Sequence, residues 1–504
     1  MTFSAPVWYT AWLCLAVTQV SADINSGCPT WGCLSWGSFS LSAGVPSSNG
    51  QVKWSKAIEQ IGNAADVGVV GRGCISNQDF VVCTTQRGYV SLDPSTGEQL
   101  WNYTAMSNPY LPLMDVYGDV IGIDKNNLVY VSNDGTPKHP IGIKIMQPDF
   151  GVMVSNNSIL FLTATKTETA QIFTYDTDGI IDAAFTLKGS WERMNGTFVP
   201  CSHPVIAGNR AYIVTKFIPD GANTTTKLAW KRLFALDLLH QMAPRIVIAW
   251  YANFLMEGGA QDSMPSTVSS TQPQPVPVEE QVPIVTYFNN TVYINMIWPN
   301  KVSKREPYDS KLWAFRDEGA YASRLFNASS FYGPMAVFDT YDEPIKFRGP
   351  RKAERFHMVW VSSNSPAKLT GYRTQDGAVV QVIDVGMVSK LGPNTTITSK
   401  LSITRQNTSS NRDTIVLGAV DANKQAFLLA IEADPANAGS SLLWATKLSE
   451  QRADPSTWAV EGQVVNTAQP IPGTGGSVDF KLGLIAMVTE TGNDYKKTYI
   501  KGVF

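Results

Sequence analysis

Histidine is nearly missing from this chain: four in 504 residues, with six cysteines. A zinc centre built on imidazole and thiolate needs closely spaced His and Cys, and no such spacing occurs. His139, His240 and His357 have no neighbouring carboxylate pattern of the kind a catalytic triad needs. Charge of either sign is also sparse, at 16% of residues, and the formal net charge is −2. Nothing basic advertises a nucleic acid or an anionic membrane as partner. Amphipathic stretches of helical length are almost absent. So are a nucleophile motif, a phosphate-cradling glycine loop and a metalloprotease helix. After the first residues, no apolar run is long enough to cross a bilayer.

What is abundant is strand-like: short runs of Val, Ile, Tyr and Phe between Gly-, Asn- and Asp-rich turns. One phrase recurs. Its full copy runs Gly88-Tyr-Val-Ser-Leu-Asp93-Pro-Ser-Thr96-Gly97-Glu-Gln-Leu-Trp101, an apolar strand, a turn at Thr96-Gly97, and a strand carrying Trp101. Asn49-Gly-Gln-Val-Lys-Trp54 repeats the second half alone, and Tyr499-Ile500-Lys501 repeats the first half at the opposite end. Further anchors end at Asn133, Asp176, Asp237, Arg316, Arg373 and Glu432, making eight. The aromatic of the following strand is read at Trp101, Phe185, Trp250, Phe326 and Trp444, with Trp54 for the last copy.

Anchors spaced about 40 to 60 residues apart suit four-stranded propeller blades. The expectation is an all-β, closed β-propeller of eight four-stranded blades, its last blade completed by the N-terminal strand near Trp54. The copy at Val131-Ser132-Asn133 is the most degenerate, so seven blades also fit.

An uncharged start, an apolar run from Val7 to Val17 and Val20-Ser21-Ala22 predict a signal peptide over 1–22. A Cys-, Gly- and Ser-rich extension follows over 23–48, and the propeller occupies 49–504. A Pro-, Ser- and Thr-rich insertion at about 258–282 falls between the fourth and fifth blades. Asn102, Asn156, Asn195, Asn223, Asn289, Asn327, Asn394 and Asn407 all open Asn-x-Ser/Thr sequons. Together with the leader they predict a secreted, extracellular N-glycoprotein with no membrane span after cleavage. Cys74 and Cys83 flank a short turn symmetrically, which predicts a disulfide across a hairpin. Cys28 and Cys33 can close a small loop, leaving Cys201 free unless it takes one of them.

The phrase Leu92-Asp93-x-x-Thr96-Gly97-x-x-x-Trp101 resembles the tryptophan repeat of the pyrroloquinoline-quinone-like β-propellers, a superfamily of quinoprotein alcohol dehydrogenases and non-catalytic assembly lipoproteins. The resemblance implies packing and turn roles for Asp93, Thr96, Gly97, Trp101 and Trp54. In the enzymes it also implies pyrroloquinoline quinone and Ca²⁺ over the central channel. This chain has neither the adjacent cysteine pair of the alcohol dehydrogenases nor a haem-attachment motif.

In such a ring the innermost strands line the channel. Counting back from the anchors gives Asp66, Asp115, Asp149, His203, Glu280, Tyr332, Lys400 and Gln469 as channel-mouth ligand candidates. Asp66, Asp115, Asp149 and Glu280 would suit Ca²⁺ if they converge, since hard oxygen ligands fit that ion. Among the four histidines His203 is the best placed to act as a general base, although a lone histidine more often serves as a structural hydrogen-bond partner. Trp230, Trp298, Trp313 and Trp360 could stack on a sugar or planar cofactor, or fill the core between blades. The sequence favours a non-catalytic binding or scaffold module for an extracellular protein, glycan or small molecule. A quinone- and Ca²⁺-dependent oxidoreductase of alcohols or sugars comes second, and a polysaccharide-active propeller third.

Overall fold

The computed structural model describes 28–504 apart from 62–72, 142–149, 163–171, 222–230, 240–245, 255–281, 300–307, 338–356 and several shorter loops. Among the described residues the chain is strand almost throughout, with one short helix, α1 (Val385–Ser389). The strands sort into eight antiparallel sheets in chain order. Within them most strands pair antiparallel with their neighbours in sequence, in meander fashion.

The first sheet runs Cys74–Ser76, Val81–Thr85, Gly88–Leu92 and Gln99–Tyr103. The second covers 113–141 and is a four-stranded sheet of its own, with the degenerate anchor ending its third strand. The third covers 150–185, the fifth 284–329 and the sixth 335–384. The fourth departs from expectation. To its four strands over 205–253 it adds the hairpin Lys188–Trp191 and Met194–Pro200, which pairs with the far end of Arg210–Pro219. The seventh has two short strands, Thr396–Ile397 and Ser402–Thr404, that pair one after the other along Asp413–Val420.

The eighth sheet is assembled from both ends of the chain. Thr457–Pro472, Val478–Thr491 and Lys496–Val503 are followed in space by Val52–Ile61, with Trp54 opposite Gly502 and Ala57 opposite Tyr499. The pairing continues past the strand ends, where Gln51 and Phe504 exchange both backbone hydrogen bonds at 3.0 Å.

First strands of successive sheets lie side by side. Cys74–Ser76 is beside Leu113–Met114, which is beside Phe150–Met153. Val205–Ala207, Ile284–Phe288, Met335–Val337, Ser402–Thr404 and Thr457–Pro472 follow one another in the same way, and Thr457–Pro472 lies against Cys74–Ser76. Between the third and fourth sheets the contact runs through Ile181–Phe185 and Ile246–Asn253. The core lies between the sheets. Its largest buried side chains include Trp313, Trp360, Tyr89, Tyr212 and Phe254, so burial is spread over several apolar clusters.

In all eight sheets the pairing of third and fourth strands is shifted by a bulge. In the first sheet Trp101 opposes Ser91 and Gln99 opposes Leu92, so Leu100 is the extra residue. The same step precedes Trp54, Trp250, Phe326 and Trp444. A bulge re-aims the side chain beside it. Here that side chain reaches the next sheet. Trp54 Nε1 donates to Pro94 O at 3.1 Å, and Trp101 Nε1 donates to Asn133 O at 2.9 Å. The ring of Trp54 covers Gly97 (φ +71°), that of Trp101 covers Gly135 (φ +88°), and Phe326 covers Gly377 (φ +70°). A Cβ at Gly97 would stand 2.5 Å from the Trp54 ring. Glycine is required there for both the turn and the contact.

Two members of the series extend it. Trp444 donates to Pro46 O at 2.7 Å and lies over Gly50, so the chain just before Val52–Ile61 takes the part of the turn that the eighth sheet lacks. In the sixth sheet Gln381 holds the aromatic's position, opposite Gly371, and its amide donates to Gly439 O. The third sheet corrects an expectation. The bulge places Ala183, not Phe185, at the docking position, and Phe185 pairs with Ile172 two residues further along.

Candidate functional site

The inner edges of the sheets are where the sequence places its candidate ligands, and that space is occupied by the chain itself. Cys28–Cys33 is closed by a disulfide, as is Cys74–Cys83, whose cysteines are paired across the first hairpin. Cys201 is half-buried and takes no part in either disulfide. The segment beginning at Cys28 then contacts the first strands of six sheets in turn. Ser76 and Cys28 exchange hydrogen bonds at 2.9 and 3.1 Å in the first sheet. Gly32 N donates to Gln463 Oε1 at 2.9 Å in the eighth. At Gly37 a Cβ would meet Val205 of the fourth sheet at 2.8 Å and the Val285 carbonyl of the fifth at 3.2 Å. Val337 N donates to Ser38 O in the sixth, and Ile403 of the seventh bonds Phe39 O and Leu41 N. Cys28, Cys33, Ser38, Phe39, Ser40 and Leu41 are all buried.

The composition and cysteines of this segment mark it as an extension, but with no apolar period the sequence does not announce where it lies. Its polar partners Ser76, Gln463 and Asn466 are fully buried, which is the mark of side chains committed to capping another backbone.

His203 and Lys400 are the two sequence candidates brought into one electrostatic environment. His203 lies two residues before Val205, which opens Val205–Ala207, and Lys400 lies two residues before Ser402–Thr404; the Lys400 amide donates to Gly462 O at 2.8 Å. Each keeps some accessible surface, but that surface is deep inside, where contact with bulk water is small. Burial, followed by the positive charge of Lys400, pushes the His203 imidazole down to about 3. Burial likewise lowers the Lys400 ammonium. At neutral pH His203 is therefore a neutral imidazole with little affinity for a proton, and general bases work best with a pKa near the operating pH.

Asp115 is buried and taken up by the turn it opens. Its Oδ1 accepts from the amides of Tyr117 and Asp119 at 2.8 and 2.9 Å, and its Oδ2 accepts from the Tyr130 hydroxyl at 2.6 Å. The Tyr332 hydroxyl donates to Val282 O at 2.7 Å, and burial pushes that phenol up to about 12. Gln469 stands in the first strand of the eighth sheet opposite Lys481. Asp66, Asp149 and Glu280 lie outside the described residues, as do Trp230 and His240. Among the described residues no three His, Cys, Asp or Glu side chains group as a metal site. Trp313 and Trp360 are core, and Trp360 Nε1 donates to Asp413 at 3.1 Å. His357 packs its ring against Phe288 at 4.9 Å.

Sequence reasoning missed a charged cluster that joins the fourth and fifth sheets. Asp317 accepts from Arg210 at 2.8 and 2.9 Å, from the Tyr212 hydroxyl at 2.5 Å, from Trp250 Nε1 at 3.0 Å and from the Gly319 amide at 2.7 Å. Arg210 also bonds Asp237 at 2.6 and 3.1 Å. Asp237 was visible as an anchor residue, and its partner in the next sheet was not.

Of the sequon asparagines, Asn102, Asn195, Asn289 and Asn394 are exposed and Asn327 is half-buried; Asn156, Asn223 and Asn407 lie outside the described residues. No helix among the described residues is long and apolar enough to cross a membrane.

No protein-family model and no curated protein matches the sequence. Solved structures with a similar chain path include the RRP9 WD40 repeats, at 8% identity over 77% of this chain and 91% of that one, with a TM-score of 0.35. Another is a eukaryotic initiation factor, at 11% identity over 86% and 91%, TM-score 0.40. A third is the dihydro-heme d1 dehydrogenase NirN, at 9% identity over 75% and 66%, TM-score 0.36. At these values the likenesses bring neither activity nor ligand to this chain.

Proposed function

We propose that the protein is a secreted, N-glycosylated, closed eight-bladed β-propeller of the pyrroloquinoline-quinone-like kind, acting extracellularly as a non-catalytic binding or scaffold module. The side-by-side first strands, the docking of Trp54 on Gly97 and the pairing of Val52–Ile61 with Lys496–Val503 support closure. The observation that carries the functional reading is the set of contacts that Cys28, Gly32 and residues 37–41 make with the first strands of six sheets. In a ring those strands surround the axis, and the segment takes the room that a quinone and its Ca²⁺ would need. The depressed His203 imidazole argues in the same direction, since it makes that candidate a poor proton acceptor at neutral pH.

The test is calorimetry and an absorbance scan of the secreted protein with pyrroloquinoline quinone and Ca²⁺. No heat of binding and no quinone band are expected. Stoichiometric binding would overturn the proposal in favour of the oxidoreductase and call for an alcohol and sugar screen.

A further inference from the structure

The seam where the eighth sheet meets the first is sealed unevenly. At one end Trp54 lies on Gly97 with its ring N–H on Pro94. Past the bulge the two sheets part, and a cavity of about 300 Å³ opens between Val52–Ile61 and the outer strands of the first sheet. Ile58 and Val90 supply apolar lining, while Glu59, Gln86, Arg87 and Gln99 surround it with donors and acceptors. The volume is at the lower end for small-molecule sites, about 300 to 1,000 Å³. The Gln86 amide donates across it to Glu59 Oε1 at 2.6 Å.

Both ends of a sequon line the same cavity: Asn102 and Thr104. In a strand, residues two apart share a face. Trp101 is turned toward the second sheet, which leaves its neighbour Asn102 facing the seam with Val90 opposite it in register.

We propose that Asn102 carries an N-linked glycan whose first N-acetylglucosamine seats in this cavity and holds the N-terminal strand against the first sheet. The proposal rests on the reading of the chain as a secretory glycoprotein. Transfer forms a bond from Asn102 Nδ2 to the sugar's anomeric carbon and breaks that carbon's bond to the phosphate of a lipid-pyrophosphate oligosaccharide donor; the amide loses one proton. A monosaccharide suits such a lining, since its hydroxyls and acetamide can meet Glu59, Gln86, Arg87 and Gln99 while its C–H face covers Ile58 and Val90. Immobilising a sugar already tethered at Asn102 costs little further entropy, because the covalent link supplies a high local concentration.

The full chain, secreted from a eukaryotic host, is mapped for glycans by peptide mass spectrometry, and hydrogen exchange is followed over Val52–Ile61. The native protein, the protein trimmed enzymatically to one N-acetylglucosamine per site, Thr104→Ala and Thr104→Ser are compared. Exchange over 52–61 is expected to be unchanged after trimming and in Thr104→Ser, and about tenfold faster in Thr104→Ala, with Asp413–Val420 unaffected. An unmodified Asn102 in a protein glycosylated elsewhere overturns the proposal and leaves the secretory reading standing. Absence of glycan from every sequon overturns both. A glycosylated Asn102 whose loss leaves 52–61 equally protected overturns the seating.

Discussion

Two ionisable residues carry pH dependence of distinct origin. Burial acts to raise the Asp317 carboxyl, but the hydrogen bonds from Tyr212, Arg210, Gly319 and Trp250 together hold it below its ordinary value. A carboxylate depressed on folding adds stability that is complete above its unfolded pKa and is lost as pH falls through the folded one. Asp317→Asn should therefore flatten the acid limb of a plot of melting temperature against pH below about 4, and cost about 3 kcal/mol at neutral pH by leaving Arg210 and Tyr212 without their shared acceptor. His203 also destabilises the fold in acid, over a higher window. Its folded imidazole is pushed down to about 3, while the unfolded chain takes a proton near the usual 6.5. Stability is intact above 6.5 and erodes as pH falls from there toward 3. His203→Gln should remove that erosion and leave the neutral-pH melting temperature close to the native value. If both variants keep the native pH profile, neither group is linked to folding as argued.

Strands and turns were legible because their signals are local. Apolar alternation marks strands, and glycine after a polar residue marks the turn between third and fourth strands. The assignment of Trp54 to the last sheet was legible because Gly50-x-x-x-Trp54 and Gly97-x-x-x-Trp101 share one spacing. Phe185 was misplaced for a related reason. The bulge fixes the docking residue by register, and in this sheet the visible aromatic falls two residues beyond it. Asp115 read as a ligand because a buried carboxylate and a turn-capping one look alike in sequence; only its three donors tell them apart. The segment 28–41 was not legible at all as a filler of inner space, since it binds through backbone groups and distant polar partners. The docking element makes a sharp prediction. Gly97→Ala both strains a left-handed backbone and drives a methyl into the Trp54 ring, which should cost about 2 to 4 kcal/mol in chemical denaturation. Trp54→Phe keeps an aromatic ring at the seam but loses the bond to Pro94 and part of the indole's packing on Gly97 and Gly502, for about 1 to 2 kcal/mol. Equal costs for the two would show that the glycine contact is not what fixes the turn.

At the scale of the molecule, one sheet holds strands from both ends of the chain, and its inner neighbour is the segment that leads into Val52–Ile61. Sheets one to seven can each form from contiguous sequence, whereas the eighth cannot pair until the whole chain is present. Contacts so distant in sequence form late, because loop closure must be met before they return anything. The ends therefore act together. Removing 497–504 takes away the partner of Val52–Ile61, exposes the edge of Val478–Thr491 and frees Trp54 from Gly97 and Gly502. The truncated protein should lose the single cooperative transition of the full chain, with fast hydrogen exchange spreading from 52–61 to Thr457–Pro472 and to the first sheet at Cys74–Ser76, its neighbour on the other side of the seam. A free strand edge there is also a template for pairing with a second copy, so the truncation should self-associate in a concentration-dependent way. A truncated monomer that still unfolds in one sharp step would mean that the other seven sheets hold together without the seam, and that the shared sheet contributes little to stability.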